Sequence, residues 1–114
     1  MIMSDCLFCK IVNKEIAAEI IYENEVAISF KDIKPVAPIH LLIVPKKHIP
    51  SINQLTTEDT ALVGELFLVA QKLAKKYEVD KDGYRLVFNV GKNAGQTVNH
   101  LHLHLIGGQK LMWA

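Results

Sequence analysis

The spacing of hydrophobic positions changes along this chain, and each change marks an expected element. Leu7, Phe8, Ile11 and Val12, within Cys6 to Asn13, fit one face of a short helix with Ser4-Asp5 as its cap. Ile20-Ile21-Tyr22 and Val26-Ala27-Ile28-Ser29-Phe30 are short runs of strand formers separated by Glu23-Asn24-Glu25, and they read as a hairpin. Pro35 and Pro38 place a loop next, because proline removes a ladder donor and restricts the residue before it. Leu41 to Val44 then makes a buried strand closed by Pro45. From Leu62 to Tyr77 the period lengthens to that of a helix. Leu62, Leu66, Val69 and Leu73 form one row, and Val63, Phe67, Ala70 and Ala74 a second. Thr56 or Thr57 is its expected cap, with Glu58 and Asp59 in the first turn, where the helix dipole favours negative charge. Asp82-Gly83 is a turn before a strand from Tyr84 to Val90, and Gly91 to Gly95 is a loop. A last strand is expected from about Val98 to Ile106, stopped by Gly107-Gly108.

Strands and helices do not alternate regularly in this order. The expected class is α+β: a mostly antiparallel sheet with one long helix on a face and a short N-terminal helix, in a single domain over 1–114.

Composition narrows the class of partner. Half the residues are hydrophobic and 22% are charged, which suits a globular chain with a real core. Thirteen basic residues against twelve acidic ones leave a net charge of +1. That balance supplies no long-range field for nucleic acid or an anionic membrane, so an anionic ligand has to be held by local chemistry. No apolar stretch is long enough to cross a bilayer, and the N-terminal residues lack the pattern of an export signal. The expectation is therefore a cytoplasmic protein whose two cysteines stay reduced or bind metal.

The strongest chemical signal is His100-Leu101-His102-Leu103-His104. Residues two apart on a strand face the same way, so the three histidines share a face while Leu101, Leu103 and Leu105 serve the core. A solvated, histidine-rich sheet face is the bland explanation. Metal binding is a second: a His-x-His pair can chelate one zinc with help from elsewhere. Outer histidines about 13 Å apart cannot both reach an ion whose bonds are about 2 Å. Nucleophilic catalysis is the third. A neutral imidazole can attack phosphorus and split one displacement into two, and the middle histidine has neighbours on both sides to orient it. The polar loop Gly91 to Thr97 ends just before this strand, and its backbone N–H groups suit a phosphate.

At His100 to Ile106 the chain resembles the signature of the histidine triad (HIT) family. Phe8-Cys9-Lys10-Ile11, Phe30-Lys31-Asp32-Ile33, Pro38-Ile39-His40, Val44-Pro45-Lys46-Lys47-His48 and Gly95-Gln96-Thr97-Val98 are similar to blocks of its Hint branch in the same order, as are Gly107-Gly108 and Trp113. The resemblance implies a HIT-like fold and hydrolysis of purine nucleoside 5′-phosphoramidates, with no catalytic cofactor. By position His102 resembles the nucleophile and His104 a phosphate-contacting partner. Gln96 and Thr97 match positions near phosphate and leaving group, with Gly95 beside them and Asn89 a further phosphate-side residue. His40 matches a supporting histidine outside the triad. Asp32 matches the ribose-binding carboxylate, and Phe8, Ile11, Phe30, Ile33 and Leu42 the apolar base pocket. From periodicity alone Phe8, Ile11 and Leu42 are better read as core, and Asp32 suits a turn. Thr97 stands where serine is common in this branch, keeping the hydroxyl and adding a methyl. Cleavage of dinucleoside polyphosphates, as in a neighbouring branch, and a nucleotide-binding interaction module are the competing functions. A homodimer joined through sheets and long helices is also implied, with Leu111-Met112-Trp113 reaching towards the other subunit's site.

Cys6-x-x-Cys9 lacks the preceding strand that a redox pair expects. Structural zinc wants four N/S ligands, and His48 and His100 can complete the set with Cys6 and Cys9, as some family members with this pair do. Two reduced cysteines packed as small hydrophobes are the alternative.

Overall fold

The computed structural model describes residues 6–113. The elements run α1 (Leu7–Val12), β1 (Ile20–Glu23), β2 (Ala27–Lys31), β3 (Ile39–Pro45), α2 (Thr60–Lys76), β4 (Tyr84–Val87) and β5 (Leu103–Gly107). All four pairings are antiparallel, in the order β1-β2-β3-β5-β4. The expected α+β class holds, with several boundaries moved.

The proposed Ser4-Asp5 cap lies outside the described residues. The N-cap position of α1 belongs to Cys6, whose sulfur accepts the Cys9 N–H at 3.3 Å. Thr56 caps a single 3-10 turn, Thr57–Asp59, that leads into α2, and the Thr56 N–H donates to the Asp59 carboxylate to complete a capping box. The first row of α2 lies in the core from Leu66 onward, with Ala70 and Ala74 of the second row, whereas Phe67 is exposed.

The long helix covers one sheet face, as expected, and that core gathers Leu66, Val69 and Leu73 with Leu41, Ile43, Leu101, Leu103 and Leu105. The opposite face is also covered. Phe8 and Ile11 of α1 pack there on Ile28, Phe30, Leu42 and Val44 in a second cluster. This explains why β2 and β3 are buried almost continuously instead of alternating: strands covered on both faces need apolar side chains on both.

The last strand is shorter than expected. Its ladder begins at Leu103 opposite Ile43, leaving His100 and His102 ahead of it. The backbone groups that would extend it are otherwise engaged. Pro45 has no N–H, its carbonyl accepts the His100 ring at 2.8 Å, and the Leu101 N–H donates to Ile49. The His100 carbonyl takes the His102 ring instead. Side-chain alternation nevertheless persists, with the leucines on the α2 side and the histidines on the other. Phe88 to Val90 likewise carry no ladder, so β4 ends at Val87.

Candidate nucleotide-binding and catalytic site

The α1 side of the sheet opens into a cavity of about 630 Å3. Its apolar wall comes from Phe8, Ile11, Phe30, Ile33 and Leu42, all five of the expected base-pocket residues. Most of them also belong to the second core, so the same side chains pack the core and line the cavity. Ile33 is the exception, exposed on the loop after β2. Asp32, Thr97, His102 and His104 supply polar groups to the same cavity. Ile16, Ala17, Ala18 and Val98 line it too. Sequence reasoning assigned none of these to the site: Ile16, Ala17 and Ala18 sit in a connector with no periodic signal, and Val98 entered only as the end of the Gly95-Gln96-Thr97-Val98 block. Leu7, Glu19, Lys31 and Lys34, which also line the cavity, were likewise unassigned.

His102 is held from three sides. Its Nδ1 donates to the His100 carbonyl at 2.7 Å, which leaves the Nε2 lone pair free. The Phe8 ring meets it edge-on at 5.0 Å between centroids, and the His104 ring lies at the same distance. Burial holds its pKa below the ordinary 6.5, partly offset by the hydrogen bond to His100 and the charge of Asp32. At neutral pH the ring is therefore uncharged. His104 is pushed down to about 4, chiefly by burial and then by His102 and His40.

His40 does not line the cavity. It stands behind it, with Nε2 at 2.9 Å from His104 Nδ1 and 3.3 Å from Asp32 Oδ2. Gln96, Asn89 and Gly95 are also off the lining. The Gln96 amide donates to the carbonyls of Pro50 and Val98 and accepts the Gly91 N–H. Asn89 donates to Ala94 O. Gly95 turns the loop at φ 84°, a left-handed conformation that favours glycine. The N–H groups of Ala94, Gly95 and Gln96 bond back to Gly91 and Lys92. The expected phosphate cradle is thus not presented by these amides, because the loop satisfies itself; its product is a fixed placement of Thr97.

Cys6, Cys9, His48 and His100 converge at the mouth of α1, with ligand atoms all within 4.8 Å of one another. His100 Nδ1 lies 3.2 Å from Cys6 Sγ, 3.5 Å from Cys9 Sγ and 3.1 Å from His48 Nδ1. Cys9 Sγ is 3.3 Å from His48 Nδ1. A tetrahedral zinc places such atoms roughly 3.3–3.8 Å apart, given its usual bond lengths. The His100 Nε2 donates to Pro45 O, so its Nδ1 carries the lone pair a metal needs. Without a cation, burial and Cys6 push the Cys9 thiol up to about 12. The donor set fits zinc in chemistry and spacing, and four protein ligands would leave no position for a reactive water.

Neutral buried histidines make stability depend on acid. His40, His102 and His104 all have pKa values below the unfolded 6.5, so below that pH the unfolded chain binds more protons. Their contribution is complete above pH 6.5 and is lost on acidification, down to about pH 4 for His104. Each can contribute at most about 1.4 kcal/mol per pH unit in its window. Melting temperature should fall progressively from neutrality to pH 4.5; a flat profile over that range would contradict the burial of these rings.

The chain and its fold resemble known proteins. The family model described as "Scavenger mRNA decapping enzyme C-term binding" matches residues 5–113. A HIT-like protein from Synechocystis is 46% identical over 109 residues, covering 96% of this chain and 95% of its own. Among solved structures, a HIT family hydrolase from Legionella pneumophila superposes with a TM-score of 0.94 at 48% identity, covering 96% of this chain and 97% of its own. A histidine triad nucleotide-binding protein from Candida albicans gives 0.84 at 32% identity, covering 96% and 83%. Among the described residues no helix is long and apolar enough to cross a membrane. A family model over residues 5–113 and relatives alike along nearly the whole chain show that the protein belongs to the histidine triad (HIT) family, and it is similar to that family's hydrolases.

Proposed function

We propose that the protein is a purine nucleoside 5′-phosphoramidase working through a nucleotidyl-histidine intermediate. The observation that carries this is the neutral His102 ring at the polar end of an apolar cavity, its Nδ1 tied to a backbone carbonyl and its Nε2 free. A purine fits between Phe8, Phe30 and the aliphatic wall, and Asp32 accepts from the ribose hydroxyls. His102 Nε2 attacks the phosphorus and the P–N bond breaks, the departing nitrogen keeping the bonding pair and taking a proton from solvent to leave as an amine. Water then cleaves the phosphorus–imidazole bond, releasing adenosine monophosphate and restoring the neutral ring. His104 and the Thr97 hydroxyl stand beside the phosphorus and leaving group. Gln96, Gly95 and Asn89 shape the loop that places Thr97.

Steady-state assays of an adenosine phosphoramidate and a diadenosine polyphosphate side by side separate the candidate activities. Preferential turnover of the phosphoramidate supports this reading, and preferential turnover of the polyphosphate favours the neighbouring branch. Turnover of neither, with nucleotide still bound, makes the protein a binding module.

The protein is also proposed to be a homodimer. β4 is an edge strand, and beside it Phe67 and Phe88 stack edge-to-face at 6.0 Å, with Leu68 exposed on the same helix. An unpaired edge next to exposed apolar side chains suits a two-fold partner that extends the sheet. Met112 and Trp113 are almost fully exposed and would be covered by that partner. Light scattering should give twice the chain mass at micromolar concentration; a monomer throughout that range would refute it.

A further inference from the structure

His40 lies on β3 and His104 on β5, adjacent strands in which His40 faces Ile106 and Leu42 faces His104, so both rings are on the same side of the sheet. His40 is buried, and burial keeps it neutral at physiological pH. The Val36 N–H donates to its Nδ1 at 3.1 Å. A backbone N–H can only donate, so that nitrogen holds a lone pair and the ring's single hydrogen is on Nε2. Nε2 faces His104 Nδ1 at 2.9 Å and Asp32 Oδ2 at 3.3 Å. His104 therefore accepts at Nδ1 and carries its own hydrogen on Nε2.

We propose that His40 is a positioning residue that sets the tautomer of His104, so that His104 always presents an N–H donor to the phosphoryl group. The inference rests on the phosphoramidase reading for its purpose, but not for its geometry. The Val36 amide is well placed for the task. Its loop is pinned at both ends, by Asp32 N–H to His40 O at 3.0 Å and Lys34 N–H to Asp32 Oδ1 at 2.8 Å. Asp32 takes part as a competitor for the His40 hydrogen. Ribose hydroxyls occupying its Oδ2 leave that hydrogen to His104, which couples nucleoside binding to the donor on the phosphate side. Asp32, His40 and His104 also lie close enough together to hold a metal ion. The Val36 contact argues against it, because a protonated Nε2 cannot be a ligand.

Isotope-edited proton–nitrogen spectra of the imidazoles in the ligand-free protein at neutral pH test this without any substrate. Wild type should show both His40 and His104 as Nε2–H tautomers. A glutamine at position 40 can accept from Val36 through Oε1 and donate to His104 through Nε2, so His40→Gln should keep the His104 tautomer. Alanine offers no donor and should give a mixture; glutamate, which only accepts, should draw the His104 hydrogen to Nδ1. Turnover should follow the tautomer, with kcat within about threefold of wild type for His40→Gln and about tenfold or more lower for alanine and glutamate, at nearly unchanged KM. An Nδ1–H tautomer of His104 in wild type would overturn the inference without any variant. So would an unchanged Nε2–H tautomer in the alanine and glutamate proteins. Correct tautomers in a protein that turns over no phosphoramidate would instead discard the proposed reaction and leave the positioning role standing.

Discussion

His102→Ala should lose several orders of magnitude in turnover of an adenosine phosphoramidate while binding adenosine monophosphate within roughly tenfold of wild type. The two halves of that expectation come from different parts of the cavity. Bond formation needs the Nε2 lone pair, which no neighbour can replace: His104 uses its Nδ1 on His40, and the His100 ring is turned to Cys6, Cys9 and His48. In the proposed complex nucleotide binding would come mainly from Phe8, Phe30, Leu42 and Asp32, which line the cavity and which alanine at 102 leaves in place. The Phe8 ring loses an edge contact, which accounts for a modest weakening. His104→Ala should be milder, since it removes a donor and not the bond-forming atom. Quenched single turnover with a radiolabelled phosphoramidate should trap an adduct on His102 in the wild type. Rapid hydrolysis by His102→Ala would end the covalent mechanism.

The elements with a strong period were legible in advance. The helix from Leu62 onward, the hairpin of β1 and β2, and the leucine face of the last strand all follow from spacing that only one local structure satisfies. The second core was not legible, because Phe8 and Ile11 lie on a helix too short to show which surface it covers. The early end of the β5 ladder was hidden for a different reason. It depends on Pro45 O and Ile49 O, distant in the chain, capturing groups that local pattern assigns to a strand. For the site, the histidine alternation and the family resemblance together named Asp32, Thr97, His102 and His104 of the cavity lining, but not the charged Glu19, Lys31 and Lys34 at its edge. They also named Gln96 and Asn89, whose amides the structure commits to holding the loop. A residue's place in a motif marks that it matters to the site, not whether its side chain touches ligand or scaffold.

Stripping metal from the Cys6, Cys9, His48 and His100 cluster should lower the melting temperature sharply and blunt catalysis as a consequence. Zinc is proposed here as a brace. It would join α1, through Cys6 and Cys9, to the segment after β3, through His48, and to the approach to β5, through His100. Structural zinc in small domains contributes on the order of 10 kcal/mol of apparent binding free energy, far more than any single packing contact in this fold. Two links lead from it to the chemistry. The carbonyl of His100 holds His102 in its reactive tautomer, and Phe8, between the two cysteines on α1, packs against both the His100 and the His102 rings. Cys9→Ser should therefore reduce both metal content and thermal stability and lower kcat without changing which atom attacks. Elemental analysis of protein purified without chelator should give one zinc per subunit, and re-addition of zinc after chelation should restore the melting temperature. A chelator that stops turnover at once, with no change in melting temperature, would make the ion catalytic instead. Protein that takes up no zinc even when it is supplied would rule the brace out.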